Sequence, residues 1–580
     1  MSDNFLKFNS RRSTVYSTRG IVASSQPLAS AAGIKILSLG GNALEASIAV
    51  SAALCVVEPT STGIGGDCFV LFQSKESKKV EGINGCGRAA GKLTIQDVFD
   101  LENNGNPLKR IPNQSVLSIT VPGAIAAWQD SFEKWGSGKV SFEQILQPAI
   151  DLANDGFGVH EIASDLWNKC EKKLISQNPK VDPLQNPLLL NGKAPKEGDF
   201  IDNKPLADAL RLIAKNGKKA FYEGPIADAI IKTTDAKHHK LTKEDLIKHE
   251  STFVDPISIE FGDYKVWEIP PNGQGLVVLI ALGIIRELNN LGKINLSTLK
   301  HNSSEYLHLL IETLKIAFKD ADEIIGDPKF DDVPVKEILS SDNLQRRAKL
   351  FNPDKALDLA TVESPLPGHH HRSNTVYISV TDSEGNACSF INSVYYGFGS
   401  GILVDDFGFC LTNRGANFNL TSGLNNCLEG GKRPYHTIIP GFITNLENDF
   451  FASYGNMGGF IQPVGHVIHF LNLTLFQLNP QQSIDSPRFS LRPSESGIDT
   501  GRGGGGPAST EVTVVQLEDG IPEDVIQDLQ KLGHSTEVIS GYERSTFGRA
   551  QIIKNESKSG KLLHSGGSDL RGDGAAVPFL

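Results

Sequence analysis

The sequence lacks most of what would take it out of ordinary globular chemistry. It has no paired C-x-x-C spacing: its seven cysteines (Cys55, Cys68, Cys86, Cys170, Cys388, Cys410, Cys427) are scattered and odd in number. That argues against a disulfide frame or a zinc site and suits free thiols in a reducing compartment. It has no basic excess, and a net charge of −11 excludes nucleic acid or an anionic membrane as a general partner. It has no long apolar run. The longest, Leu276 to Ile285, stops at Arg286 and is too short to span a bilayer. The opening Met1-Ser2-Asp3-Asn4-Phe5 brings no apolar core of signal-peptide type. No repeat period is evident. These absences together give the expectation of a cytoplasmic protein with no membrane and no nucleic-acid partner.

What is present is a large globular composition. The chain has 580 residues, of which 39% are hydrophobic and 21% charged, so two domains or one large interlocked core are expected. Pro27 to Leu39 has helical spacing and stops at Gly40-Gly41; Asn42 then caps a second helix to about Val57, with Ala, Ser and Val on several faces. Cys68–Phe72 and Val80–Asn84 read as a strand pair. Gly123 to about Asp327 reads as mostly amphipathic helices, including Gly275–Asn289 and Ser304–Ala321. From Thr375 onward strands are expected to dominate: Thr375–Thr381, Ala387–Val394, Ile438–Ile443 and a late set from Glu511 to Leu580. Strands in front, helices in the middle and strands at the end give a mixed α+β class.

The most informative stretch is Asn374-Thr375-Val376-Tyr377-Ile378-Ser379-Val380-Thr381. It reads as an exposed junction followed by a strand of alternating β-branched and aromatic residues. A Thr opening a strand here suggests a nucleophile unmasked by self-cleavage. Cutting Asn374–Thr375 would give Thr375 a hydroxyl and a free α-amine, and that amine can take the hydroxyl proton. The bland alternative is an ordinary strand threonine.

Other motifs decide between them. Gly40-Gly41-Asn42-Ala43-Leu44-Glu45-Ala46 leads through Val56-Val57-Glu58-Pro59 to Thr62-Gly63-Ile64-Gly65-Gly66-Asp67. Val121-Pro122-Gly123-Ala124 and Pro270-Pro271-Asn272-Gly273-Gln274-Gly275 follow. After the Thr come Gly397-Phe398-Gly399-Ser400-Gly401, Gly458-Gly459, Asp485-Ser486-Pro487-Arg488 and Asp569-Leu570-Arg571-Gly572-Asp573-Gly574. In this order the chain resembles the γ-glutamyltranspeptidase family, autoprocessed N-terminal-nucleophile hydrolases.

The resemblance implies an αββα four-layer sandwich, two stacked sheets between helical layers. Residues 1–374 would become a large subunit and 375–580 a small one, both feeding strands into one core and remaining associated. Thr375 would be the nucleophile, Ser393 would orient its hydroxyl, and Gly458-Gly459 would offer N–H donors to an oxyanion. Where glutamyl-specific members carry a carboxylate-binding Arg, this chain has Cys86, within Asn84-Gly85-Cys86-Gly87-Arg88. The set that grips the α-amine becomes Tyr395, Arg414 and Asn417, and the paired serines become His436 and Thr437. Arg414, with Arg88, then reads as a carboxylate clamp; the alternative for Arg414 is a structural pair with Asp405 or Asp406.

The resemblance therefore implies an amide hydrolase or acyltransferase acting through a Thr acyl-enzyme, with water or an amine as acceptor. Glutathione and other γ-glutamyl donors are the family reading. Amides of small oxo-acids such as oxamate are the competing one, and a non-catalytic scaffold is the third. No cofactor is expected. No metal is expected either, since His369-His370-His371 point different ways, and Gly501-Arg502-Gly503-Gly504-Gly505-Gly506 lacks a surrounding βαβ unit.

Overall fold

The computed structural model describes residues 12–358, 374–493 and 513–580. The triple histidine 369–371 and the glycine-rich 501–506 segment lie outside the described residues.

Two seven-stranded antiparallel sheets stack face to face. The first runs Ala575–Pro578, Ile21–Ser24, Asn374–Thr381, Ala387–Tyr395, Asp67–Gln73, Val80–Gly85, Thr252–Val254. The second runs Val15–Ser17, His564–Ser568, Arg549–Asn555, Phe450–Met457, Gly441–Asn445, Tyr264–Glu268, Ile257–Phe261. Strand alternation builds the layers. In Asn374–Thr381, Val376, Ile378 and Val380 enter one core with the helices Pro27–Ser38 and Ala43–Val57. Tyr377 enters the other, with Tyr454, Ile552 and the helices Gly275–Asn290, Ser304–Ile324 and Ile461–Thr474. Between the sheets, Ser379 Oγ lies 2.5 Å from Ser453 Oγ. The result is the αββα sandwich that the sequence resemblance implied.

Both sides of the Asn374–Thr375 bond feed both sheets. The first sheet takes Ile21–Ser24, Asp67–Gln73, Val80–Gly85 and Thr252–Val254 from residues before it, and the second takes Val15–Ser17, Ile257–Phe261 and Tyr264–Glu268.

Local sequence explains the helix that backs the site. Asn42 Oδ1 accepts from the Glu45 N–H at 3.0 Å while Glu45 Oε2 accepts from the Asn42 N–H at 2.7 Å, a capping box. Every residue of Ala43–Val57 is buried, and the small side chains let it lie against the sheet.

Several expectations are corrected. The middle third is helical but also supplies Thr252–Val254, Ile257–Phe261 and Tyr264–Glu268 to the sheets. Strands dominate after Thr375 as expected, but helices interrupt them at Ile461–Thr474, Pro480–Asp485 and Glu523–Lys531. The first of these is buried on all sides for most of its length, so it lacks the polar face that marks a helix in sequence. The strand expected at Ile438–Ile443 is Gly441–Asn445, because Pro440 has no N–H to give a ladder. The Ile438 and Ile439 N–H groups go instead to His436 Nδ1 and Gln462 Oε1. Thr375, expected at an exposed junction, is itself 0% exposed. All seven cysteines carry free thiols. Among the described residues no helix is long and apolar enough to cross a membrane.

Candidate active site

Thr375 and Ser393 stand on neighbouring antiparallel strands, Asn374–Thr381 and Ala387–Tyr395. The register shifts between Asn374, opposite Tyr395, and Val376, opposite Asn392, so Thr375 sits at a bulge. Bulges re-aim side chains at the ends of sheets, and here the two hydroxyls meet with Thr375 Oγ1 3.1 Å from Ser393 Oγ. Both residues are fully buried. The strand ends at Tyr395, whose φ of 79° is a conformation that non-glycine residues rarely hold outside functional sites. The turn brings the Tyr395 N–H to 2.9 Å from Ser393 Oγ.

Arg414 starts the short turn Arg414–Asn417 and reaches the same hydroxyl. Its Nη2 donates to Ser393 Oγ at 3.2 Å and its Nη1 to Thr437 Oγ1 at 2.7 Å. The guanidinium lies 4.2 Å above the Tyr395 ring, an added cation–π contact. Tyr395 donates its hydroxyl to Asn417 Oδ1, and Asn417 Nδ2 donates to the Tyr435 carbonyl at 3.1 Å. Thr375, Ser393, Tyr395, Arg414, Asn417 and Thr437 are thus one connected cluster.

Behind it stands Asp67, the first residue of Asp67–Gln73. Its Oδ2 lies 3.0 Å from His436 Nε2 and 4.0 Å from Arg414 Nε, and its Oδ1 accepts from Gly87 N–H at 2.9 Å and Gly123 N–H at 3.3 Å. His436 Nδ1 accepts from Ile438 N–H, so Nε2 carries the proton and donates to Asp67. Burial, then the Arg414 charge, pull the His436 pKa down to about 3, and the ring is neutral at ordinary pH. Burial also lowers Arg414 while Asp67 opposes it. Burial pushes the Cys86 thiol up, which makes it inert as a nucleophile. Cys86 receives an Asn272 Nδ2 contact at 3.3 Å.

Gly458 and Gly459 follow the strand Phe450–Met457. Their φ values are 133° and 74°, backbone that requires glycine. The Gly459 carbonyl accepts from Gln274 Nε2 at 3.0 Å, and the same amide nitrogen donates to the Thr437 carbonyl at 2.5 Å. Gln274 thereby ties the Gly458-Gly459 turn to the Arg414 partner Thr437.

Two expected roles differ from what is seen. Arg88 makes its hydrogen bond elsewhere, to the Glu250 carbonyl at 3.3 Å. Arg414 is not paired with Asp405 or Asp406; Asp406 faces Lys232 at 3.1 Å, and the carboxylate near Arg414 is Asp67. Sequence reasoning gave no role to Asp67 or Gln274. The signal at Asp67 is an acidic residue opening an otherwise apolar strand just after Gly65-Gly66.

Asp67, Cys86 and His436 also offer ligand atoms within 4.8 Å of one another. Asp67 is already matched by a guanidinium and an imidazole N–H, and the thiol is held protonated, so this set suits a hydrogen-bonded buttress rather than a cation. His308, Glu312 and His534 form a second such group, but Lys315 Nζ already sits 2.9 Å from Glu312 Oε1.

The family model described as gamma-glutamyltranspeptidase matches residues 29–579. A glutathione hydrolase-like proenzyme (YwrD) of Bacillus subtilis is 34% identical over 566 residues, covering 97% of this chain and 99% of that protein. The oxamate amidohydrolase proenzyme of Klebsiella pneumoniae is 30% identical over 572 residues, covering 97% and 99%. Among solved structures, a cephalosporin acylase from Bacillus halodurans superposes with a TM-score of 0.86 at 36% identity, covering 100% of this chain and 99% of that one.

Proposed function

Because this chain belongs to the γ-glutamyltranspeptidase family and is an amide hydrolase or transferase, we propose that Thr375 is its nucleophile. In this reading self-cleavage of Asn374–Thr375 frees the base that drives it. The reading rests on the 3.1 Å Thr375–Ser393 contact at the head of a central strand. The Tyr395 N–H and Arg414 Nη2 both donate to Ser393 Oγ, so in the cut enzyme the Ser393 proton is the one that faces Thr375. The Thr375 proton passes to its own α-amine as Oγ1 bonds to the amide carbon. The carbonyl oxygen takes the electron pair beside Gly458-Gly459. Collapse breaks the C–N bond, the leaving amine carries the proton away, and an ester on Thr375 remains for water or an amine.

We propose further that the acyl group is short and carries a carboxylate but no α-ammonium. Arg414 supports this. It is the buried cation of the cluster, one hydroxyl away from Thr375, and its two terminal nitrogens each spend one N–H on a hydroxyl. The remaining N–H of each fits a carboxylate. Since Arg414 touches Ser393 and Ser393 touches Thr375, a carboxylate on Arg414 leaves room for only a few carbons before the scissile carbonyl. Monoamides of small diacids, oxamate among them, meet that limit. The oxamate amidohydrolase relative supports this class. Glutathione is the second reading, supported by the glutathione hydrolase-like relative. Against it, the Asn417 oxygen that could accept from an ammonium is taken by the Tyr395 hydroxyl, and Arg88 is engaged with Glu250. The free thiols support a cytoplasmic location, and the interleaved sheets support two fragments that stay together. A panel of oxamate, glutaryl p-nitroanilide and γ-glutamyl p-nitroanilide tests the assignment; a clear preference for the γ-glutamyl donor overturns it.

A further inference from the structure

Arg549 is a buried cation that the scheme above does not use. It opens the strand Arg549–Asn555 in the second sheet, opposite Met457, the residue before Gly458-Gly459. It is 4% exposed. Its guanidinium crosses to the first sheet: Nη1 donates to Glu58 Oε2 at 2.8 Å, and Nη2 to Ser61 Oγ at 3.0 Å and to the Thr375 carbonyl at 3.4 Å. Glu58 is the C-cap of the helix Ala43–Val57 and is itself buried. Three acceptors, two in the turn that closes the helix Ala43–Val57 and one at the head of the strand Asn374–Thr381, match the planar fork of an arginine and not the point charge of a lysine.

Thr375 needs such a contact. The register of its strand skips it, passing from Asn374 opposite Tyr395 to Val376 opposite Asn392. Cutting Asn374–Thr375 separates it from the paired residue upstream, and Thr375 becomes a chain end beside a bulge. A chain end at a bulge is free to swing, and misplacement by about 1 Å costs a reacting group roughly 100-fold in rate.

We infer that Arg549 is the positioning residue of the nucleophile. It fixes the Thr375 carbonyl against Met457 and the Gly458-Gly459 turn, and Glu58 serves as its counter-charge and anchor. The inference rests on the reading of Thr375 as nucleophile. It carries a consequence that a merely structural ion pair does not. Before cleavage the Thr375 backbone is held from both sides; afterwards it is held from the carbonyl side, with the side chain resting on Ser393. Loss of Arg549 is therefore felt more in turnover than in maturation.

The test compares wild type with Arg549→Lys, which keeps the charge pair, and with the double variant E58Q/R549Q, which removes both charges and leaves none buried alone. Fragment formation is followed on denaturing gels with N-terminal sequencing, and folding by thermal unfolding. Turnover is measured on whichever of glutaryl and γ-glutamyl p-nitroanilide the wild type hydrolyses. Expected for the double variant is maturation within about threefold of wild type, with kcat lower by roughly 10- to 100-fold and KM within about twofold; Arg549→Lys should recover part of the loss. A wild-type fragment beginning at Thr375, together with full kcat in both variants, overturns this inference alone. So does a fall in maturation and kcat in equal proportion. A wild-type small fragment beginning elsewhere overturns the nucleophile reading and this inference with it. If the double variant does not fold, Arg549→Lys decides: an unchanged kcat overturns the proposal.

Discussion

Asp67 Oδ2 lies 3.0 Å from His436 Nε2 and 4.0 Å from Arg414 Nε, so one buried carboxylate orients both groups behind the candidate nucleophile. With His436 neutral, Asp67 balances the Arg414 charge and lets a guanidinium exist at 0% exposure. An unpaired charge there would be strongly unfavourable. The same pairing keeps the guanidinium face on Tyr395 and its terminal nitrogens on the Ser393 side.

Maturation is the first expectation. If Thr375 must lose its upstream peptide to gain an amine, the purified protein will run as two fragments, the smaller beginning at Thr375. Thr375→Ala will remain one chain and be inactive. N-terminal sequencing checks this, and any other start for the small fragment sinks the assignment. The fragments should co-elute without denaturant, because strands on both sides of residue 375 interleave in both sheets.

Ser393 carries the second. Its hydroxyl joins Thr375, the Tyr395 N–H and Arg414. Ser393→Ala removes one hydrogen bond to a reacting group, worth on the order of 1–3 kcal/mol, hence roughly 10- to 100-fold in turnover. Maturation should slow as well, while Ser393→Thr should be nearly neutral. Full activity in the alanine variant would reduce Ser393 to a structural role.

A third expectation concerns pH. The folded His436 pKa of about 3 lies below the ordinary 6.5. Between those values the unfolded chain binds a proton that the folded one does not. Stability therefore rises with pH across that window, and is lost on acidification from about pH 6.5 downward, at up to ~1.4 kcal/mol per pH unit for this one group. His436→Gln keeps a donor for Asp67 and cannot titrate. Its unfolding free energy should fall less steeply than wild type between pH 6 and 4.5, and equal slopes would show that His436 is protonated in the fold.

The fold class and the candidate nucleophile were legible in sequence chiefly through family resemblance: a threonine opening a strand is by itself equally an ordinary strand residue, and Ser393 and Gly458-Gly459 drew their expected roles from the order of motifs around them. Asp67, Gln274 and Arg549 were not assigned roles, because their partners lie far along the chain: Asp67 meets His436 across 369 positions and Arg549 meets Glu58 across 491. No periodicity marks a contact made by stacking two sheets. The helix Ile461–Thr474 carries no clear sequence mark for a related reason. A segment buried all round shows neither the polar face of a helix nor the alternation of a strand.

Substrate choice is the remaining prediction and the one that most divides this chain from glutamyl-specific relatives. A γ-glutamyl donor brings an α-ammonium that must find an acceptor. Here Asp67 is committed to His436 and two backbone N–H groups, and the Asn417 oxygen to Tyr395. The cation nearest Thr375 in the cluster, Arg414, repels an ammonium and attracts a carboxylate, and desolvation makes that difference worth several kcal/mol. Wild type should therefore hydrolyse glutaryl p-nitroanilide better than its γ-glutamyl counterpart. Arg414→Gln should lose roughly 10- to 100-fold in kcat/KM on the glutaryl substrate and narrow or reverse the preference, because the amide can both donate to Ser393 and accept from an ammonium. If wild type instead prefers the γ-glutamyl donor and Arg414→Gln lowers both substrates equally, Arg414 serves the nucleophile through Ser393 and does not read the acyl group.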